Sequence, residues 1–202
     1  MKEYSETDIK TLSAREHVRS RPGICFENCF RQQHLNDLPF EILCHAFDEY
    51  FDKNCDKISI EVSSFDFTVV YDAGISLEQD SDGITRAENI MTRIYACRNE
   101  KKHLAVGEQY CRIGLAAINY ASEKSTLTTI SGSLKGIFHF EKGELLSKEI
   151  STTEEKDMTC IYLKPDATLF PGLSLAIDGV RENAKAIEKE LAGLTIQITE
   201  KK

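Results

Sequence analysis

The amino-acid sequence predicts an α+β two-layer sandwich, and three observations carry that prediction. Segments with helical spacing gather in the first part of the chain, with one more near its C-terminus. Four runs of alternating apolar and polar residues lie between them, and strands and helices do not alternate one for one as βαβ units would. The chain has 202 residues, 41% of them apolar, enough for one domain with a sizeable core. No repeat or low-complexity tract divides it, so a single domain over 1–202 is the economical reading.

The elements follow in order. Ser13 and Glu16 make a capping box that opens a short helix, which must end before Arg21-Pro22-Gly23. A loop is expected from there to Asn36. Between Asn36 and Lys53, with Asp37 and Pro39 near the start, one helix is expected. Its apolar face carries Phe40, Leu43, Ala46, Phe47 and Phe51. Glu41, His45, Asp48 and Asp52 share another face, ordinarily a solvated one. Lys57 to Val62 and Phe65 to Tyr71 alternate with period two and predict a hairpin that ends at Asp72-Ala73-Gly74. Residues 85–97 and 110–121 read as helices around the charged stretch Arg98 to His103. Strands are expected near 125–131, 134–141, 144–151 and 158–163. A last helix, Ser174 to Leu191, stops at Gly193 and leads into a strand, Thr195 to Thr199.

Composition limits the function. Lys and Arg number 25 against 33 Asp and Glu, a net charge of −8, which argues against direct binding of nucleic acid. Apolar stretches fall far short of the ~20 residues of a membrane helix, and the N-terminus lacks the features of a signal peptide; a cytoplasmic protein is expected. Seven cysteines without a CxxC pair fit reduced thiols. Cys25 and Cys29 read as small buried residues, since no second pair completes a zinc site.

Particular residues go further. Ile9, Lys10 and Leu12, followed by His17-Val18-Arg19-Ser20-Arg21-Pro22-Gly23, open a pattern that continues through Phe40-Glu41, Ala46, Asp48-Glu49, Cys55-Asp56-Lys57-Ile58 and Asp72 with Gly74. Ala87-Glu88, Ile90-Met91-Thr92, Val106, Gly114, Asn119 and Met158-Thr159 before Pro165 extend it over essentially the whole chain. This pattern resembles the N-terminal ATPase domain of the DNA gyrase B subunit and its topoisomerase IV counterpart, members of the GHKL superfamily. The resemblance implies a Bergerat-type fold, with helices on one face of a mixed sheet, ATP as cofactor and residues 1–12 as an N-terminal arm. It places no transducer, cleavage or metal-binding domain within these residues. Glu41 falls on the general base, Asp72 on the aspartate that accepts from the adenine amino group, and Thr159 on the hydroxyl that supports it. Tyr4 falls on the arm tyrosine that reaches a partner's nucleotide across a homodimer.

The departures concern the phosphates. His45 stands where the family holds Mg²⁺ with an Asn, and imidazole nitrogen is a poor ligand for that hard ion. Gly74-Ile75-Ser76-Leu77-Glu78 replaces a Gly-Arg-Gly-Ile-Pro run. Cys97-Arg98-Asn99 stands in the place of the lid glycines. Glu108-Gln109-Tyr110-Cys111-Arg112-Ile113-Gly114 replaces the GGLHGVG phosphate loop, keeping only Gly114. Arg112 is left as the group able to meet a phosphate directly. The expectation is therefore weak or non-hydrolysing nucleotide binding at a pocket sized for adenine and too closed for an ordered triphosphate. The alternatives are an interaction module with a filled pocket, binding an unidentified protein partner, or a site for a smaller adenine-containing ligand.

Overall fold

A computed structural model describes residues 11–94, 96, 103 and 110–201. Seven strands form one sheet in the order β5-β4-β3-β6-β2-β1-β7: β1 (Lys57–Val62), β2 (Phe67–Tyr71), β3 (Ser122–Ser131), β4 (Leu134–Glu141), β5 (Glu144–Thr152), β6 (Met158–Pro165) and β7 (Thr195–Glu200). Only β1 and β7 run parallel; every other neighbouring pair is antiparallel. The expected α+β sandwich with a mixed, mostly antiparallel sheet is the observed fold. Alternation along the strands buries Ile58, Ile60, Phe67, Val69, Tyr71, Leu127, Phe138, Phe140, Ile161 and Leu163.

Eight helices are described: α1 (Ala14–Ser20), α2 (Pro22–Cys25), α3 (Glu27–Gln32), α4 (Leu38–Glu41), α5 (Cys44–Phe51), α6 (Arg86–Thr92), α7 (Leu115–Tyr120) and α8 (Ile177–Glu190). The capping box of α1 is present, with Ser13 and Glu16 each satisfying the other's backbone. Three expectations are corrected. The segment 22–36 is not a loop but carries α2, with Pro22 in its first turn, and α3, which ends at Gln33 in the left-handed conformation (φ 60°). The helix expected over 36–53 is two helices. The Phe40 amide bonds back to Asp37 and the Leu43 amide to Phe40, a tighter i→i−3 pattern, before Phe47 to Leu43 restores α spacing. The 110–121 helix likewise begins only after Gly114, whose φ of +85° cannot belong to a right-handed helix.

Two anchors fix the helical layer. Arg19 of α1 donates to the Tyr120 carbonyl at 2.8 Å and to Asp166 Oδ2 at 2.6 Å, tying the N-terminal motif to the end of β6. Asn36 Oδ1 accepts from the Ala176 amide at 2.8 Å, and Asn183 Nδ2 reaches Asp37 Oδ1 at 2.9 Å, docking α8 on the turn before α4. Cys25, Cys29, Cys55, Cys111 and Cys160 are free thiols, whereas Cys44 is disulfide-bonded, against the expectation of reduced cysteines throughout. Among the described residues no helix is long and apolar enough to cross a membrane.

Candidate functional site

Glu41 ends α4 with only 8% of its surface exposed, because Phe40 and Ile42 on either side of it are core residues. Its Oε2 accepts a hydrogen bond from the Ile113 amide at 2.9 Å. Burial pushes the Glu41 carboxyl above the usual carboxylate range. The amides of Ile113 and Arg112 pull it partway back, and the nearby Asp37 pushes it up again. A cleft of about 330 Å³ opens beside this carboxylate. Its walls include Asp37, Phe40, Tyr110 and Arg112 on one side and Asn183 and Glu190 of α8 on the other. Tyr110 closes one end, donating its hydroxyl to Glu190 and packing its ring 5.3 Å from that of Phe47.

His45, four residues on, is buried in the first turn of α5. Its Nδ1 lies 3.3 Å from the Tyr71 hydroxyl and its Nε2 3.8 Å from Glu49 Oε1. Tyr71 is itself buried, which pushes its phenol far above the ordinary range. Thr159 pairs with Tyr71 across β6 and β2. Its hydroxyl donates to the Ala73 carbonyl at 2.7 Å and meets Thr129 Oγ1 at 3.1 Å, while Thr129 Oγ1 accepts from the Ile75 amide at 2.8 Å. These two threonines therefore hold residues 73–75 against β3. Gly74 belongs to the same arrangement, since a Cβ there would run into the Ile130 carbonyl.

Asp72 lies elsewhere. It follows Tyr71 directly, so the alternation that buries Tyr71 turns Asp72 to the opposite face of the sheet, where it is exposed. Its Oδ1 accepts from the amides of Asp56 and Lys57, each at 3.2 Å. Burial pushes its carboxyl up, but hydrogen bonds from Cys55 and these amides outweigh that and hold it below the usual range. It lines a separate hollow of about 590 Å³ on the open sheet face, with Lys57, Val70 and Met158.

The structure thus brings Glu41 together with Arg112 and Tyr110, places Gly114 as the cap of α7, joins Thr159 to the segment around Gly74, and turns Asp72 to the opposite face of the sheet from Thr159. Tyr4, Cys97-Arg98-Asn99, Val106, Glu108 and Gln109 lie outside the described residues. Tyr71 and Thr129 were missed in the sequence. The period-two run Phe67, Val69, Tyr71 was the signal that the buried face of β2 ends on the tyrosine. The residue at the position where the resemblance implies an Mg²⁺ ligand, His45, offers a ring nitrogen, a poor donor for that hard ion, and bonds Tyr71.

No family model matches the chain. Curated relatives include the DNA gyrase B subunit of Treponema denticola, 28% identical over 173 residues that cover 83% of this chain and 27% of that protein. The DNA topoisomerase 4 B subunit of Enterococcus faecalis is 23% identical over 207 residues, 99% of this chain and 30% of that protein. The chain therefore spans between a quarter and a third of the length of these relatives. Among solved structures, the 43K ATPase domain of Thermus thermophilus gyrase B, crystallised with an aminocoumarin, superposes with a TM-score of 0.71 at 21% identity. The match covers 94% of this chain and 49% of that one. The sheet order, the helical layer and these likenesses agree: the chain has the fold of the gyrase B ATPase domain and is similar in sequence to the gyrase B and topoisomerase IV B subunits.

Proposed function

We propose that this chain is a gyrase-B-like nucleotide-fold domain of the cytoplasm that holds an adenine nucleotide weakly and does not hydrolyse ATP by itself. The observation that carries the reading is the Glu41–Ile113 hydrogen bond. A general base must present a free carboxylate oxygen to a water aligned on the γ-phosphate. Here Oε2 is tied to an amide of the loop that would face phosphate, which turns the carboxylate toward its own chain. His45 is engaged by Tyr71, so the position from which the family reaches Mg²⁺ is satisfied internally. A second reading, an interaction module whose pocket is filled by its own side chains, is favoured by Tyr110, clamped between Phe47 and Glu190 at the mouth of the cleft. Dimerisation through the N-terminal arm, with Tyr4 reaching the partner, belongs to the first reading.

Thermal denaturation of the full chain with adenosine, ADP and ATP, each with Mg²⁺, tests it. Weak shifts that do not grow with phosphate number, and phosphate release no faster than in Glu41→Ala, are expected. A stabilisation at equal nucleotide concentration that rises from adenosine to ADP to ATP, or phosphate release faster than in Glu41→Ala, would overturn it.

A further inference from the structure

The two edges of the sheet differ. At one, β7 is six residues long and presents Thr195, Gln197 and Thr199. At the other, β5 is nine residues long, contains neither Pro nor Gly, and is exposed at every residue but one. Among the described residues it hydrogen-bonds only to β4, so its outer row of N–H and C=O groups is open. Three of the large apolar side chains most exposed to solvent lie on this hairpin: Leu134 at 37%, Leu146 at 62% and Ile150 at 37%. A long apolar edge is a template for another strand. The devices that usually blunt such an edge are partly disarmed. The bulge opposite His139 and Phe140 disturbs only residues 145–147, and the Lys148 ammonium is turned back to Glu88 of α6 at 3.0 Å.

We propose that β5 pairs antiparallel with β5 of a second copy of this chain, about a two-fold axis passing through Ile150. The choice of occupant comes from the sequence of the strand itself. A two-fold axis perpendicular to the sheet sets residues opposite each other on the same face, so one residue of β5 must face its own copy. Centred on Lys148 or Glu149, the axis opposes two like charges. Centred on Ile150, it sets Ile150 against Ile150, Lys148 against Thr152 and Glu149 against Ser151, with no like-charge pair. It also lies in the regular half of the strand, beyond the bulge. Leu134, paired with Thr152 on β4, then lies beside the new contact on the same face as Ile150. The result is a continuous sheet of two copies, formed by a surface separate from the Glu41 cleft.

Sedimentation of the full chain without nucleotide, when the Tyr4 arm has no partner nucleotide to reach, tests this. The parent is expected to dimerise, Ile150→Lys to remain monomeric at the same concentration, and Leu146→Lys, outside the paired stretch, to dimerise as the parent does. Ile150→Cys should form a disulfide-linked dimer on mild oxidation, mapped to residue 150 by peptide mass, because opposed residues lie about 4.5 to 5.5 Å apart at Cα, within disulfide reach. A monomeric parent, a dimer that survives Ile150→Lys, or no link through residue 150 would overturn the proposal.

Discussion

Glu41 pairs a buried carboxylate with a backbone amide, and its ionisation has a definite sign. Its folded pKa lies above the unfolded one, so ionisation at neutral pH opposes folding and the penalty fades as pH falls below the folded pKa. Glutamine keeps an oxygen for the Ile113 amide and carries no charge. Glu41→Gln should therefore raise Tm at pH 7 by a few degrees, and the gain should shrink toward zero in acid, as followed by circular dichroism at several pH values. Asp166 behaves in the opposite sense. Burial pushes its carboxyl up, but the Thr168 hydroxyl and Arg19 hold it below the usual range, so its contribution is present above the unfolded pKa and lost as pH falls through the folded one. Arg19→Ala strands that carboxylate in a site where it is 5% exposed. A loss of about 2 kcal/mol is expected, below the usual cost of breaking a fully buried pair because the Arg19 side chain is 21% exposed. The measurement is the denaturant midpoint, with a shallower acid limb in the variant. Arg19 was visible in the sequence as part of a motif, but its partner is 147 positions away and nothing local announces it.

At the scale of elements, α8 gives the sharpest test because helix propensity and docking predict opposite signs. Alanine is favoured over glycine inside a helix by about 1 kcal/mol. Yet a Cβ at Gly179 would run into the Asn36 side-chain amide, whose oxygen caps the Ala176 amide before α8. Gly179→Ala should thus destabilise by about 1 to 3 kcal/mol, an overpacking cost, read from urea denaturation at unchanged m-value. A stabilised variant would mean that α8 does not dock through Asn36. This also explains which helices were legible. Long amphipathic α8 shows its period over 14 residues, and α1 carries its capping box. The two short helices α2 and α3 span too few turns to show a period. The break between α4 and α5 keeps the apolar face in phase, so spacing alone could not reveal it. In the site, Glu41 and Arg112 were legible as residues, but their contact was not. Asp72 was placed by the motif Asp-x-Gly, whereas the strand's own alternation decides which face it takes.

The whole molecule was the most legible scale, since the ordering of helix-like and strand-like segments fixes an α+β class without any knowledge of contacts. What it could not disclose is how the chain closes on itself. β7, the last element, lies parallel to β1 in a register running from Lys57 opposite Thr195 to Val62 opposite Glu200, so the C-terminus joins the first half of the sheet. β2 is in turn flanked by β1 and β6, so the N-terminal hairpin is bonded on both sides by strands from the last third of the chain. No cut in the sequence leaves two pieces that each keep a complete sheet and its covering helices. Unfolding should then be a single cooperative transition. The chain has seven tyrosines and no tryptophan, so tyrosine fluorescence and far-ultraviolet circular dichroism are the two independent probes. Their guanidinium curves should coincide. Ile196→Ala, which opens a cavity beneath the β1–β7 pair at a residue 6% exposed, should shift both curves together by about 2 to 4 kcal/mol. Curves that separate, with the fluorescence transition unmoved by the substitution, would show that the β1–β7 edge unfolds as its own unit and that closure by β7 does not hold the sheet together.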